Sequence, residues 1–181
     1  MNAKYYGVPQ SRERMIFIGV REDLGIEPSH PKPQMRPVTV REALEGVDMG
    51  YLPPKAVSPK KMSLVRMIPP GRTGADVTGG SYFNVARLAW DRPSPTILKT
   101  GYMMGVPVRL HPDEDRGFSI GELRRLASFP DDFQFVGTWE DAWARIGNAV
   151  PPLLMKAVAE HIRDNILIHC AGCEVRAASA V

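Results

Sequence analysis

Ile146-Gly147-Asn148-Ala149-Val150-Pro151-Pro152 (IGNAVPP, residues 146–152) is the stretch from which the rest of the chain is read. Gly147 and Asn148 tolerate positive φ, so the spacing predicts a tight turn there. Pro151 and Pro152 have a fixed φ and no amide donor, which suits the first turn of a helix. LLMKAVAEHIRDNILI follows, and Val150, Leu154, Ala157, Val158, His161, Ile162 and Asn165 fall at helical spacing. A helix is therefore expected from about 152 to 167, burying one mostly apolar stripe. A turn with exposed amides directly ahead of a helix can hold a small anionic or polar ligand. A plain helix start with two prolines has the same local signature.

Working outward, Ser119 and Glu122 form a capping box ahead of LRRLASF, and Pro130 should stop that helix at Phe129. Thr138 caps WEDAWARI, a helix expected to end at Gly147. Thr39 and Glu42 give another capping box, for a short helix over about 40–45 that ends near Gly46. YFNVARLAW, PTILKT and VPVRL read as short strands of a small antiparallel sheet within residues 82–110. Residues 50–80 read as irregular, because Pro53, Pro54, Pro59, Pro69 and Pro70 interrupt any long element. The glycine-flanked RTGADVT reads as a mobile loop. Lys55, Lys60, Lys61, Arg66 and Arg72 make this region basic. Such a loop either enters a DNA groove or is simply solvated.

At the other end, Met15 to Val20 (MIFIGV) is apolar on both faces and reads as a buried strand. Gln10, Arg12, Glu13 and Arg14 precede it. If the strand begins that early, Arg12 and Arg14 share a face, where two guanidiniums repel unless they meet an anion. The alternative is a solvated strand end.

The chain has 181 residues, 44% hydrophobic, with a formal net charge of +3: one domain, or one large and one small, mildly basic and compatible with a nucleic-acid partner. No apolar run is long enough to span a bilayer and no export signal is read, so a cytoplasmic location is expected. Cys170 and Cys173 form a lone CxxC without a second ligand pair, read as ordinary thiols rather than a redox or zinc site. No metal site is expected.

Taken together, three stretches resemble the C-terminal part of the DNA (cytosine-5) methyltransferases. YGVPQSRER followed by MIFIGVR resembles the family's glutamine–arginine–arginine motif, here Gln10, Arg12 and Arg14. RGFSIGELRRLASFPDDF resembles its penultimate motif and IGNAVPPLLMKAVAEHI its last. RLAWDRPSPTI resembles the end of the variable target-recognition region, with Thr96 and Ile97 at the family's threonine–aliphatic pair. The family's Pro-Cys nucleophile, Glu-Asn-Val motif and glycine-rich cofactor loop are not found in this sequence. Gly121 and Ala127 stand where the family usually has an arginine and a glutamine, and Ala149 where it sometimes has a serine.

The resemblance implies an α+β fold: a recognition lobe on a small mixed or antiparallel sheet, plus C-terminal helices completing a partial Rossmann-like methyltransferase lobe. It implies a division into residues 1–21 (strand and motif of the catalytic lobe), 22–112 (target recognition), 113–168 (last motifs and returning helices) and a tail at 169–181. It implies the C-terminal half of an enzyme that transfers methyl from S-adenosylmethionine to C5 of cytosine in double-stranded DNA. Such a half is inactive alone and partnered by the catalytic half; a DNA-binding or scaffolding module is the alternative. Arg14 would face the flipped cytosine and its phosphate, supported by Arg12 and Gln10. Asn148 and Ala149 would line the methyl donor. Lys60, Lys61, Arg72, Thr96, Ile97 and Lys99 would meet DNA, and Arg124 or Arg125 reach the recognition region. Strand Met15–Val20 is expected to pack on the last helix, and that face to carry a partner or a second copy.

Overall fold

The computed structural model describes residues 1–33, 36–48, 52 and 54–169. Cys170, Cys173 and the rest of the tail lie outside them. Among the described residues, six α-helices and six very short strands form a mixed α+β fold.

The helices follow local chemistry. Helix α1 (Val40–Leu44) starts on the Thr39–Glu42 capping box and buries Val40 and Leu44. It ends near Gly46, which takes φ +63°. Helix α4 (Ile120–Leu126) starts on the Ser119–Glu122 box and is almost wholly buried. The Glu122 carboxylate, 1% exposed, accepts from the Ser119 amide at 2.7 Å and from Arg116 at 2.8 and 2.9 Å. That pairing is what lets a carboxylate sit there. Helix α4 stops at Leu126, three residues short of Phe129, because Ser128 takes φ +64°. Helix α5 (Trp139–Asn148) starts on the Thr138–Asp141 box and buries Trp139, Ala142, Trp143 and Ile146, one helical face. Helix α6 (Pro152–Asn165) has Pro152 in its first turn.

Two helices stand where the sequence suggested irregular chain. Pro59 does not break α2 (Pro59–Met67) but begins it, at a helix end where the backbone amide has no intrahelical partner to lose. RTGADVT contains α3 (Gly74–Thr78), whose Asp76 carboxylate accepts from the Thr73 amide and hydroxyl at 2.7 and 2.9 Å.

The expected antiparallel sheet is replaced by three two-residue ladders. Strand β1 (Gln10–Ser11) pairs in parallel with β3 (Ser94–Pro95), and β2 (Ala86–Arg87) in parallel with β6 (Arg109–Leu110). Strands β4 (Tyr102–Met103) and β5 (Val106–Pro107) pair antiparallel, as a hairpin, and single antiparallel bridges join Ala86 to Thr73 and Leu110 to Gly117. Prolines at 93, 95 and 107 withhold ladder donors, which keeps the strands short.

Three clusters hold the fold. The largest joins α1, α4 and α5 around Leu88, Ile97, Val108 and Phe118. A second packs Val65 of α2 and Ile68 against Val85, Val106 and Leu110. The third sets Leu154 of α6 on Ala3, Tyr6 and Val8. The last helix therefore packs on the opening turn of the chain. Met15–Val20 forms no strand, and Met15 and Phe17 are 80% and 86% exposed. Its two-sided apolarity marks a segment suited to burial. A strand exists only through its neighbours, and among the described residues none pairs with it.

A candidate nucleic-acid-facing site

Three expected motif segments meet at one buried node. Gln10 and Arg12 are 1% and 2% exposed. Arg12 donates to the Ile97 carbonyl at 2.9 Å and to the Gly147 carbonyl at 2.7 Å. Gln10 Oε1 accepts from the Ile97 amide at 3.0 Å. Thr96 Oγ1 donates to the Ser11 carbonyl at 2.8 Å, and Trp143 Nε1 to the Leu98 carbonyl at 2.8 Å. Burial, and secondarily the charge of Arg14, lowers the Arg12 pKa. Arg12 is thus neither a solvated strand-end arginine nor an open anion site: it ties residues 97 and 147 together.

The expected tight turn at 147–148 is not formed. Helix α5 runs through Asn148, and Ala149 and Pro151 leave helical geometry, with ψ 151° and 131°. Gly147 is glycine for a different reason: a Cβ there would lie 2.3 Å from the Leu98 carbonyl oxygen. Gly121 is alike, since its Cβ would lie 2.5 Å from the Asp48 carbonyl oxygen. Its cost in helix propensity is the condition for that close approach.

The remaining expected residues divide by exposure. Arg14 is half-buried, donates to the Glu13 carbonyl at 2.6 Å, and forms no ion pair among the described residues. Asn148 is exposed, its carboxamide without a hydrogen bond there, and Ala149 is half-buried. Lys60 is exposed on α2, while Lys61 donates to Tyr82 Oη at 2.6 Å. Arg72 and Lys99 are exposed. Ile97 is 0% exposed, so its side chain belongs to the core and is closed to DNA. The Thr96 hydroxyl is already engaged on Ser11. Arg124 is buried, donating to the Phe133 carbonyl at 3.2 Å, and Arg125 holds Asp131 at 2.6 Å and the Glu45 carbonyl at 2.5 Å. Arg124 stays within residues 113–168, whereas Arg125 reaches out to the Glu45 carbonyl just past α1, inside the 22–112 segment.

Sequence reasoning missed Arg109. It is 5% exposed, in the apolar run VPVRL, and donates to the carbonyls of Asn84 and Val108 at 2.7 and 2.6 Å and of Thr96 at 2.5 Å. Burial lowers its pKa to about 10. An arginine at an inward register position of a strand was the available signal. Among the described residues no group of three or more His, Cys, Asp or Glu could hold a metal, and no helix is long and apolar enough to cross a membrane.

The sequence profile of C-5 cytosine-specific DNA methylases matches residues 1–164, and the chain belongs to that family. It is 33% identical over 179 residues to the type II methyltransferase M.Sau96I of Staphylococcus aureus, covering 90% of this chain and 41% of that protein. It is 32% identical over 195 residues to M.Eco47II of Escherichia coli, covering 92% and 46%. The chain thus spans about half the length of these relatives. The type II methyltransferase M.AquIB of a Picosynechococcus is 32% identical over 123 residues, covering 62% of this chain but 86% of that protein. In fold, the chain is similar to the crystal structure of a prophage-encoded candidate DNA modification methyltransferase of E. coli, with TM-score 0.74, 21% identity and coverage of 92% of this chain and 59% of that one.

Proposed function

We propose that the chain is the C-terminal, recognition-bearing half of a DNA cytosine-5 methyltransferase. It supplies target recognition and part of the cytosine and cofactor pockets, and is inactive without a complementary catalytic half. The observation that carries this is the node at Arg12. It joins the first motif, the threonine–aliphatic pair and the last motif through buried hydrogen bonds, with Arg14 half-buried and Asn148 exposed within the same motifs. M.AquIB, matched over 86% of its own length, is consistent with such a unit as a separate chain.

In this reading Arg14 meets the flipped cytosine and its phosphate, and Gln10 and Arg12 act as positioning residues behind it. Unstacking a base costs a few kcal/mol, which pocket hydrogen bonds and phosphate contacts offset. Residues 22–112 form the recognition region, where Lys60, Lys61, Arg72 and Lys99 contact DNA and Thr96 and Ile97 serve the support. Residues 1–21 and 113–168 belong with the catalytic lobe. S-adenosylmethionine, once bound, supplies the methyl group; the Asn148 carboxamide and the backbone at Ala149 fit the polar end of such a donor. The complementary half covers the exposed apolar side chains Met15 and Phe17 and, on α6, Leu153 and Met155, exposed by 80%, 86%, 38% and 42%; alone, the chain pairs with a second copy through them.

The test is methyl transfer from labelled S-adenosylmethionine to cytosine-containing duplex. The expected result is none from the pure chain, and incorporation after mixing with a half that carries a glycine-rich loop and a Pro-Cys. Robust methylation by the chain alone refutes the proposed division of labour. Salt-insensitive DNA binding refutes the recognition role; replacing Lys60 should flatten the log–log salt slope by about 1.

A further inference from the structure

A cavity of about 340 Å³ opens between the Gly71–Thr73 turn, the Phe83–Ala86 segment and the Arg92–Pro95 stretch. Its lining includes Arg72, Arg87, Arg92 and Arg109, and no carboxylate. Arg87 is neutralised by Asp115 at 2.8 Å and donates to backbone carbonyls besides. Arg109 is held by backbone carbonyls alone, its buried Nε has no hydrogen-bond partner, and no carboxylate pairs with it among the described residues. A buried guanidinium without an anion is costly, and an anion arriving nearby relieves that cost. Arg72 is exposed and forms no ion pair there, its charge felt only at longer range by the Asp76 carboxylate that Thr73 holds, and Arg92 meets only Asp91, at 3.7 Å with both side chains exposed, a pairing of little worth in water. Gly71 has φ +78°, and a Cβ there would lie 2.3 Å from the Arg92 guanidinium, so the arginine lies directly over the turn. Phe83 lines the same cavity and is 65% exposed. Ser11 and Pro95 complete the wall from the strands that border the Arg12 node.

We propose that this cavity is a phosphate clamp for the DNA backbone. Arg72 and Arg92 grip the non-bridging oxygens of one phosphodiester, Arg109 supplies a buried positive charge behind them, and Phe83 lies against the adjoining sugar or base. Guanidinium forks match phosphate oxygens in bidentate geometry, and an aromatic ring takes any base face. Because Ser11 and Pro95 belong to the wall, the clamped phosphate is registered against the strand pair that carries Gln10. This inference rests on the DNA-binding reading above and adds the place where the backbone is held.

The test uses the full chain and a labelled duplex, read by anisotropy across a salt series. Arg72→Gln and Arg92→Gln are both surface changes and should leave the melting temperature unchanged. Each should weaken binding severalfold at moderate salt, and the double variant should flatten the salt slope by about 1, the share of the one phosphate that both arginines hold. Lys156→Gln, which does not line the cavity, should do neither. A scan of single methylphosphonates along the duplex should find one position whose neutralisation weakens wild-type binding and leaves the double variant unaffected. A wild-type chain that binds no DNA overturns the recognition reading and the clamp together. DNA binding with an unchanged slope in the double variant overturns the clamp and leaves the recognition reading standing. A melting temperature raised by inorganic phosphate in wild type but not in the double variant, with DNA binding equal in both, assigns the cavity to free phosphate and overturns the clamp.

Discussion

Gly147→Ala separates local from tertiary reasoning by the sign of its effect. Gly147 lies in the last turn of α5, where helix propensity alone favours alanine by up to about 1 kcal/mol. In the folded chain the new Cβ would sit 2.3 Å from the Leu98 carbonyl oxygen, 2.6 Å from its carbon and 2.8 Å from Lys99 Cα. These are backbone atoms that cannot rotate away. Relieving such overlap typically costs about 1–3 kcal/mol. It also pushes apart two bonds of the node: Trp143 Nε1 to the Leu98 carbonyl at 2.8 Å, and Arg12 to the Gly147 carbonyl at 2.7 Å. Each such bond is worth about 1 kcal/mol or more, the charged one more. The net expectation is destabilisation by about 2–4 kcal/mol. With a urea m-value of about 2 kcal/mol/M, the unfolding midpoint falls by about 1–2 M. Gly19→Ala, with nothing within 4 Å of its Cβ, is the control and should stay within about 0.5 kcal/mol. A midpoint for Gly147→Ala at or above wild type would refute the close-approach reasoning.

Arg12→Met strips the donors from the buried carbonyls of Ile97 and Gly147, and thermal unfolding should show a loss of about 2–4 kcal/mol; unchanged stability would mean that water satisfies both carbonyls. Burial first, then the charge of Arg116, lowers the His111 pKa below 6.5. The folded state therefore prefers neutral imidazole, so His111's contribution is complete above the unfolded pKa and is lost as pH falls through the folded one. Denaturant midpoints at pH 7.5 and 5.5 should fall for wild type and fall less for His111→Phe; equal falls would place the sensitivity elsewhere. Phe17→Lys, at an 86% exposed site, should change unfolding stability by less than about 0.5 kcal/mol. It should lower the mass seen in sedimentation at micromolar concentration, and a wild type that already sediments as a monomer with the same mass as the variant would remove the docking face.

What the sequence determined by itself lies within a few residues of chain. The boxes at Thr39, Ser119 and Thr138 and the proline at 152 place the starts of α1, α4, α5 and α6, because a capping bond spans only three residues. The motifs around Arg12, Thr96 and Gly147 were legible in the same way, as strings. Their meaning was decided by the tertiary structure. Arg12 reaches carbonyls 85 and 135 residues away, Gly147 is small because residue 98 passes over it, and Ile97 is core rather than contact. Helix α2 begins at a proline that looked like a breaker, since a proline's effect depends on whether a helix ends or starts there. Met15–Val20 shows the same limit from the other side. Apolar composition marks a segment that can be buried, but a strand is made by its neighbours, and pairing is a property of chain segments brought together in space.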